Sequence, residues 1–153
     1  MNTSTDRIEK QILLKAPRSR VWRALSNAEE LGSWFGMNLT GKQLAAGQSV
    51  QGNLTFAGYE HVVVELLIER VEPEHHLSWR WHPGAIDAAV DYSAEPTTLV
   101  VFELSDVDGG TMLRVVETGF DRLPVGRRAD AFRMNNGGWD HQLVNIEQYV
   151  AKG

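Results

Sequence analysis

The chain has no cysteine among its 153 residues, which removes disulfides, thiol catalysis and any cysteine-based metal site. Basic blocks are missing too. Arg127-Arg128 is only a pair, and 15 Lys plus Arg against 20 Asp plus Glu leaves a formal net charge of −5. Nothing tracks phosphates, so nucleic-acid binding is disfavoured. No apolar run approaches the roughly 18 residues a membrane span needs. The opening MNTSTDRIEK lacks the apolar stretch of a signal peptide. No membrane insertion is expected, and a cytoplasmic protein is the default. Neither a Gly-x-Ser-x-Gly elbow nor a Gly-x-Gly-x-x-Gly loop occurs. Nucleophilic hydrolysis and dinucleotide binding therefore have no support. The five histidines, His61, His75, His76, His82 and His141, form no His-x-x-x-His pair with a following carboxylate. They read as surface residues, and neither a metal nor an organic cofactor is expected.

What is present suits one domain with a sizeable core, over 7–153, behind a flexible N-terminus at 1–6. Hydrophobic residues at 42% and charged residues at 23% are ordinary for a globular protein. The organising stretch is Arg127 to Ala151. Phe132, Trp139, Leu143, Ile146 and Val150 share one helical stripe. Such a helix would run about 37 Å, the width of a small domain. Asn135-Asn136-Gly137-Gly138 interrupts it, and the alternatives are a kink or a solvated break. Phe132 keeps phase with Trp139 across the gap, which favours one helix.

Upstream, Arg7 to Lys15 alternates as a strand. Pro17 opens a short helix with Val21, Trp22 and Leu25 on its apolar face. Asn27 caps a second, with Glu30 three positions on, and Gly32 is expected to end it before Trp34-Phe35. Leu39 to Lys42 is a weak strand and Ser49 to Phe56 another. His61 to Val71 is the longest, with apolar residues on both faces and a possible bulge. Leu77, Trp79 and Trp81 alternate with polar partners. Pro83 to Pro96 is a long irregular connection. Thr97 to Leu104, the Asp108-Gly109-Gly110 turn and Thr111 to Phe120 form a hairpin. One strand, two short helices, about six strands and a long helix imply an α+β fold with an antiparallel sheet. A helix laid on the concave face of such a sheet leaves an elongated space between them.

The stretches APRSRVWRAL, LGSWFG, LSWRWHP, EPTTLVVFEL, GGTMLRVVETGF and GGWDHQLVNIEQYV stand in this order. Together they resemble the START-like, or Bet v 1-like (SRPBCC), helix-grip superfamily. The branch they resemble is named after the activator of Hsp90 ATPase. The resemblance implies a curved antiparallel sheet gripping the C-terminal helix around a hydrophobic cavity. In the eukaryotic founders, co-chaperone activity also relies on a separate N-terminal domain. This chain starts at the first strand, so an Hsp90-type chaperone is a possible but disfavoured partner.

The candidate ligand-binding residues are Trp34, Phe35, Phe56, Tyr59, Trp79, Trp81, Phe132, Asn135, Asn136, Trp139 and Leu143. For any single ring, filling the core is the simpler assignment. As a set they are expected to touch a cavity, because the implied fold has one. On an ideal wheel, Asn135 falls near −40° and Asn136 near +60° from Trp139. Both are expected among the apolar residues, and at least one is expected to anchor a ligand or strand group. Glu117 is in phase with Leu113 and Val115 and is the one weak catalytic candidate, as a buried general acid or base. The plainer expectation for it is exposure, or pairing with Arg114 or Arg80.

The leading functional expectation is a soluble protein, monomer or homodimer, that binds a hydrophobic or amphipathic small molecule. One alternative is a cofactor-independent enzyme of the cyclase or hydrolase type, built on groups such as Glu117, Asn135, Asn136 and Tyr59. Another is a chaperone-associated interaction module, which would need a large exposed apolar patch.

Overall fold

Alternating apolar residues build six strands: β1 (Arg7–Leu14), β2 (Ser49–Asn53), β3 (Val63–Glu72), β4 (His76–Trp81), β5 (Thr98–Val107) and β6 (Gly110–Thr118). Three α-helices accompany them among the described residues: α1 (Arg18–Ser26), α2 (Ala28–Phe35) and α3 (Val125–Ala151). This computed structural model describes residues 6–87 and 89–152. The tail expected at 1–6 therefore lies, but for Asp6, outside the described residues. The strands form one curved sheet in the order β1-β6-β5-β4-β3-β2, every neighbouring pair antiparallel. The fold is α+β, and α3 packs against β1, α1 and α2. No helix among the described residues is long and apolar enough to cross a membrane.

Local chemistry explains most element ends. Asn27 Oδ1 accepts the Glu30 backbone N–H at 3.0 Å and so opens α2. The helix does not stop at Gly32, as the sequence reading expected, but runs on to Phe35. Gly36, at φ +92°, ends it in the left-handed conformation that glycine adopts without penalty. Gly32 serves a different need. A Cβ there would stand 2.2 Å from Met37 O, so the backbone crossing allows no side chain. Trp34 and Phe35 consequently occupy the last helical turn and point into the core.

The strand expected over Leu39 to Lys42 is absent. Thr40-Gly41 is a turn, and the one sheet-like contact nearby is a bridge between Met37 and Leu54. Leu39 is fully buried, so its apolar character reflects a core plug rather than a strand. The two-faced pattern of β3 has a register explanation. The pairing to β4 shifts between Ile68 and Arg70. Before that bulge the even positions Leu66 and Ile68 are buried, and after it Val71 packs on the core.

Helix α3 is continuous through Gly137-Gly138 and begins directly after Pro124. Its buried residues are Ala131, Trp139, Gln142, Leu143, Ile146 and Val150. Including Ala131 and Gln142 rotates the centre of the buried face by about 20° toward Asn135. That rotation leaves Asn136 exposed, which corrects the expectation that both amides face the sheet.

Candidate functional site

The inward-facing positions of β6 are Leu113, Val115 and Glu117, and the last is fully buried. Glu117 is neither exposed nor paired with arginine, contrary to the plainer expectation. Arg114 binds Glu9 and Glu103 on the outer face, and Arg80 binds Glu69. The Glu117 carboxylate is instead ringed by neutral donors from three elements. Trp81 Nε1 at the end of β4 donates to Oε2 at 2.8 Å. Thr98 Oγ1, opposite Trp81 on β5, donates to the same oxygen at 2.5 Å. From α3, Trp139 Nε1 donates to Oε1 at 2.8 Å. Asn135 Nδ2, one helical turn earlier, reaches Oε1 at 2.9 Å and Oε2 at 3.0 Å. A buried carboxylate is tolerable only when hydrogen bonds replace its lost hydration, and these four side chains do so.

The same donors hold an aromatic layer in place. Trp81 and Trp139 stack with ring centres 5.8 Å apart, and Phe35 lies 5.9 Å from the first and 6.1 Å from the second. Trp79 and Phe102 extend the layer beneath them. Aromatic rings thus fill much of the space directly between sheet and helix. The open volume lies to one side. A solvent-connected cavity of about 550 Å³ is bounded by the start of β3, the connection after β4, Phe35, Trp81, Met134 and Asn135. A smaller space of about 160 Å³ shares Phe35, Trp81, Met134 and Asn135 with it and continues along α3 past Gly138 to Trp139 and Gln142. Gln142 donates to Phe35 O at 2.8 Å and so locks the end of α2 to the helix.

The described residues of the connection over 82–96 form the outer wall and are tied down by Arg127. Its guanidinium makes a two-pronged pair with Glu95, donates to Pro83 O at 2.9 Å and lies 4.6 Å above the Tyr92 ring. Among the described residues lining the larger cavity are the carboxylates Glu65 and Asp87, and no lysine or arginine. Hydrogen bonds from Gln51 and Ser49 hold the Glu65 carboxyl below its ordinary range. His61 and His82 are lining residues as well. Among the described residues, no group of three or more His, Asp or Glu is arranged to hold a metal ion.

Of the eleven ligand candidates, Phe35, Trp81 and Asn135 line both spaces and Trp139 lines the smaller one. Trp34 is buried elsewhere, its Nε1 donating to Ala24 O at 2.7 Å. Trp79 is fully enclosed, and Leu143 is buried in the core. Phe132 packs on Phe120 with ring centres 5.1 Å apart. Phe56, lying over Gly36, and Tyr59 are largely exposed, as is Asn136. The sequence reading missed Thr98, Gln142, Met134 and Arg127. Thr98 had a usable signal, since it extends the inward phase of Val100, Phe102 and Leu104 by one step.

These features sit on a widely shared scaffold. Protein MLL2253 from Mesorhizobium loti superposes with a TM-score of 0.71 at 22% identity, over 95% of this chain and 97% of that one. Protein NE0264 from Nitrosomonas europaea gives 0.72 at 18% identity, over 99% and 98%. The Aha1 dimer from Colwellia psychrerythraea gives 0.68 at 17% identity, over 94% and 95%. At these identities the likeness is one of fold. No curated protein matches the sequence. A family model, that of the Activator of Hsp90 ATPase homolog 1-like protein, matches residues 15–151. That match spans most of the chain, which therefore belongs to the Activator of Hsp90 ATPase homolog 1-like family.

Proposed function

We propose that this protein binds a small apolar or amphipathic molecule in the cavity between the sheet end, α3 and the 82–96 connection. The observation that carries the reading is the cavity of about 550 Å³ walled by Phe35, Trp81 and valines of β3, with Asn135 as a polar point. That volume lies within the roughly 300–1,000 Å³ typical of small-molecule pockets, and the mix of aromatic wall and few polar groups is typical too. Family membership supports the same reading, since the fold commonly accommodates hydrophobic ligands. A general base needs a free lone pair within reach of a substrate proton. Both Glu117 oxygens are occupied by donors, and Trp81, Asn135 and Trp139 line the cavity spaces in its stead. The site is therefore better suited to holding a molecule than to moving its protons.

The test is titration with Nile red, a neutral lipophilic dye. Saturable binding at about one site is expected, with displacement by some lipophilic compounds and not others. Met134 is 45% exposed at the mouth. Met134→Trp should therefore block the opening and weaken the dye by about tenfold while the melting temperature holds. A folded protein that does not bind the dye saturably defeats the proposal.

A further inference from the structure

The hydrogen bonds around Glu117 fix which atom of Asn135 is free. Its Nδ2 lies within 3.0 Å of both carboxylate oxygens. The reverse orientation would aim the amide oxygen at those same oxygens and is excluded by their repulsion. Oδ1 is therefore the polar atom that Asn135 presents to the two spaces it lines, and Oδ1 only accepts. The indole N–H groups of Trp81 and Trp139, the other donors on this wall, are also consumed by Glu117. Gln142 spends one of its two amide N–H groups on Phe35 O and accepts from Asn145 at 3.1 Å. Beside Asn135 the wall offers an acceptor oxygen and aromatic faces, with both indole N–H groups in use; other polar lining groups, His61, His82, Tyr92 and Ser93, come from the segments before β3 and after β4.

The charge distribution points the same way. Glu117 is a fully buried carboxylate whose hydrogen-bond partners are all neutral. Glu65 and Asp87 are lining residues too, their carboxylates taken up by Ser49 and Gln51 and by the Ala89 backbone N–H. Arg127, which ties down the outer wall, is engaged by Glu95.

Resting on the reading of this cavity as a ligand site, we infer that it selects amphiphiles whose polar end donates hydrogen bonds, an ammonium before a hydroxyl, and rejects carboxylates. An ammonium would meet Asn135 Oδ1 and the ring faces of Trp81 and Phe35, both favourable for a cation. A carboxylate of equal size would meet the same acceptor oxygen and the negative faces of the same rings, both unfavourable for an anion.

The experiment displaces Nile red from the full chain at pH 7 with three compounds sharing one ring system: 2-naphthylmethylamine, 2-naphthylmethanol and 2-naphthoate. The expected order is amine, then alcohol, then carboxylate, with about tenfold or more between the ends. Asn135→Leu should weaken the amine and the alcohol by a larger factor than it changes naphthoate, so that the amine-to-naphthoate ratio falls toward one. Naphthoate binding as tightly as the amine overturns the inference, and so does an unchanged series in Asn135→Leu. If the dye binds and the order is flat, selectivity alone is refuted. If the dye does not bind to folded protein, the cavity reading falls and this inference falls with it.

Discussion

Strand β6 carries two charged side chains, three residues apart, that are stabilised in opposite ways. Arg114 points outward and meets Glu9 at 2.8 Å and Glu103 at 2.7 Å, with all three side chains partly in water. Glu117 points inward and meets only neutral dipoles. On the outer face opposite charges are already well solvated, so pairing them gains little. On the inner face water is gone, and each hydrogen bond replaces hydration that would otherwise be lost outright. The inner carboxylate therefore organises its surroundings in a way the outer network does not. It draws β4, β5 and α3 to one point and fixes the orientation of Trp81, Asn135 and Trp139.

The largest expected effect comes from deleting the inner partner. Glu117→Leu keeps the side chain apolar and of similar size but leaves Trp81, Thr98, Asn135 and Trp139 facing an apolar group. Each buried donor left unpaired costs about 1–3 kcal/mol, partly offset because a charge no longer needs burying. A net loss of about 3 kcal/mol is expected, seen as a fall in melting temperature of roughly 6–12 °C for a chain of this length. A variant melting within a degree or two of the parent would mean that the donors find other partners. The inner and outer faces would then differ less than their geometry indicates.

A sharper version compares two tryptophans of the same aromatic layer. Trp139 gives its N–H to Glu117 at 2.8 Å. The N–H of Trp79 is buried with no partner among the described residues. Replacing either with Phe removes ring volume, but only Trp139→Phe also removes a hydrogen bond to a charged group, worth about 1.5–3 kcal/mol. Denaturant midpoints should therefore fall further for Trp139→Phe than for Trp79→Phe. Equal losses would assign the stability of this layer to ring packing alone.

How far the site was legible in the sequence depended on whether its signals were periodic. The phase of Leu113, Val115 and Glu117 showed that Glu117 could face inward. It could not show the partners, because these come from elements 18 to 36 residues away. The helical wheel put Asn135 on the sheet side correctly. It misplaced Asn136 because the stripe was drawn from large apolar residues and omitted Ala131 and Gln142, which set the edge of the buried face. The extent of α3 was readable because Phe132 and Trp139 stay in phase across the glycines. The end of α2 was not, since glycine serves helix termination at Gly36 and close backbone approach at Gly32, and composition cannot separate these uses. The wall over 82–96 has no repeating pattern at all, and its hold on Arg127 depends on tertiary placement.

The smallest expected effect belongs to the outer network and appears as a pH dependence. Hydrogen bonds from Arg114 and then Arg7 lower the Glu9 carboxyl from its ordinary 4.5 to about 2. A carboxyl depressed in the folded state binds its proton more weakly there than in the unfolded chain. Its contribution is present above the unfolded value near 4.5 and is lost as the pH falls from there toward 2. Glu9→Gln should therefore make the acid limb of the stability curve slightly shallower in that window and change little at neutral pH. Glu9 and Arg114 are solvent-accessible, so 1 M salt should erase the difference between parent and variant. A difference that survives high salt would mean that the outer pair is shielded from solvent ions, and the contrast between the two faces of β6 would narrow accordingly.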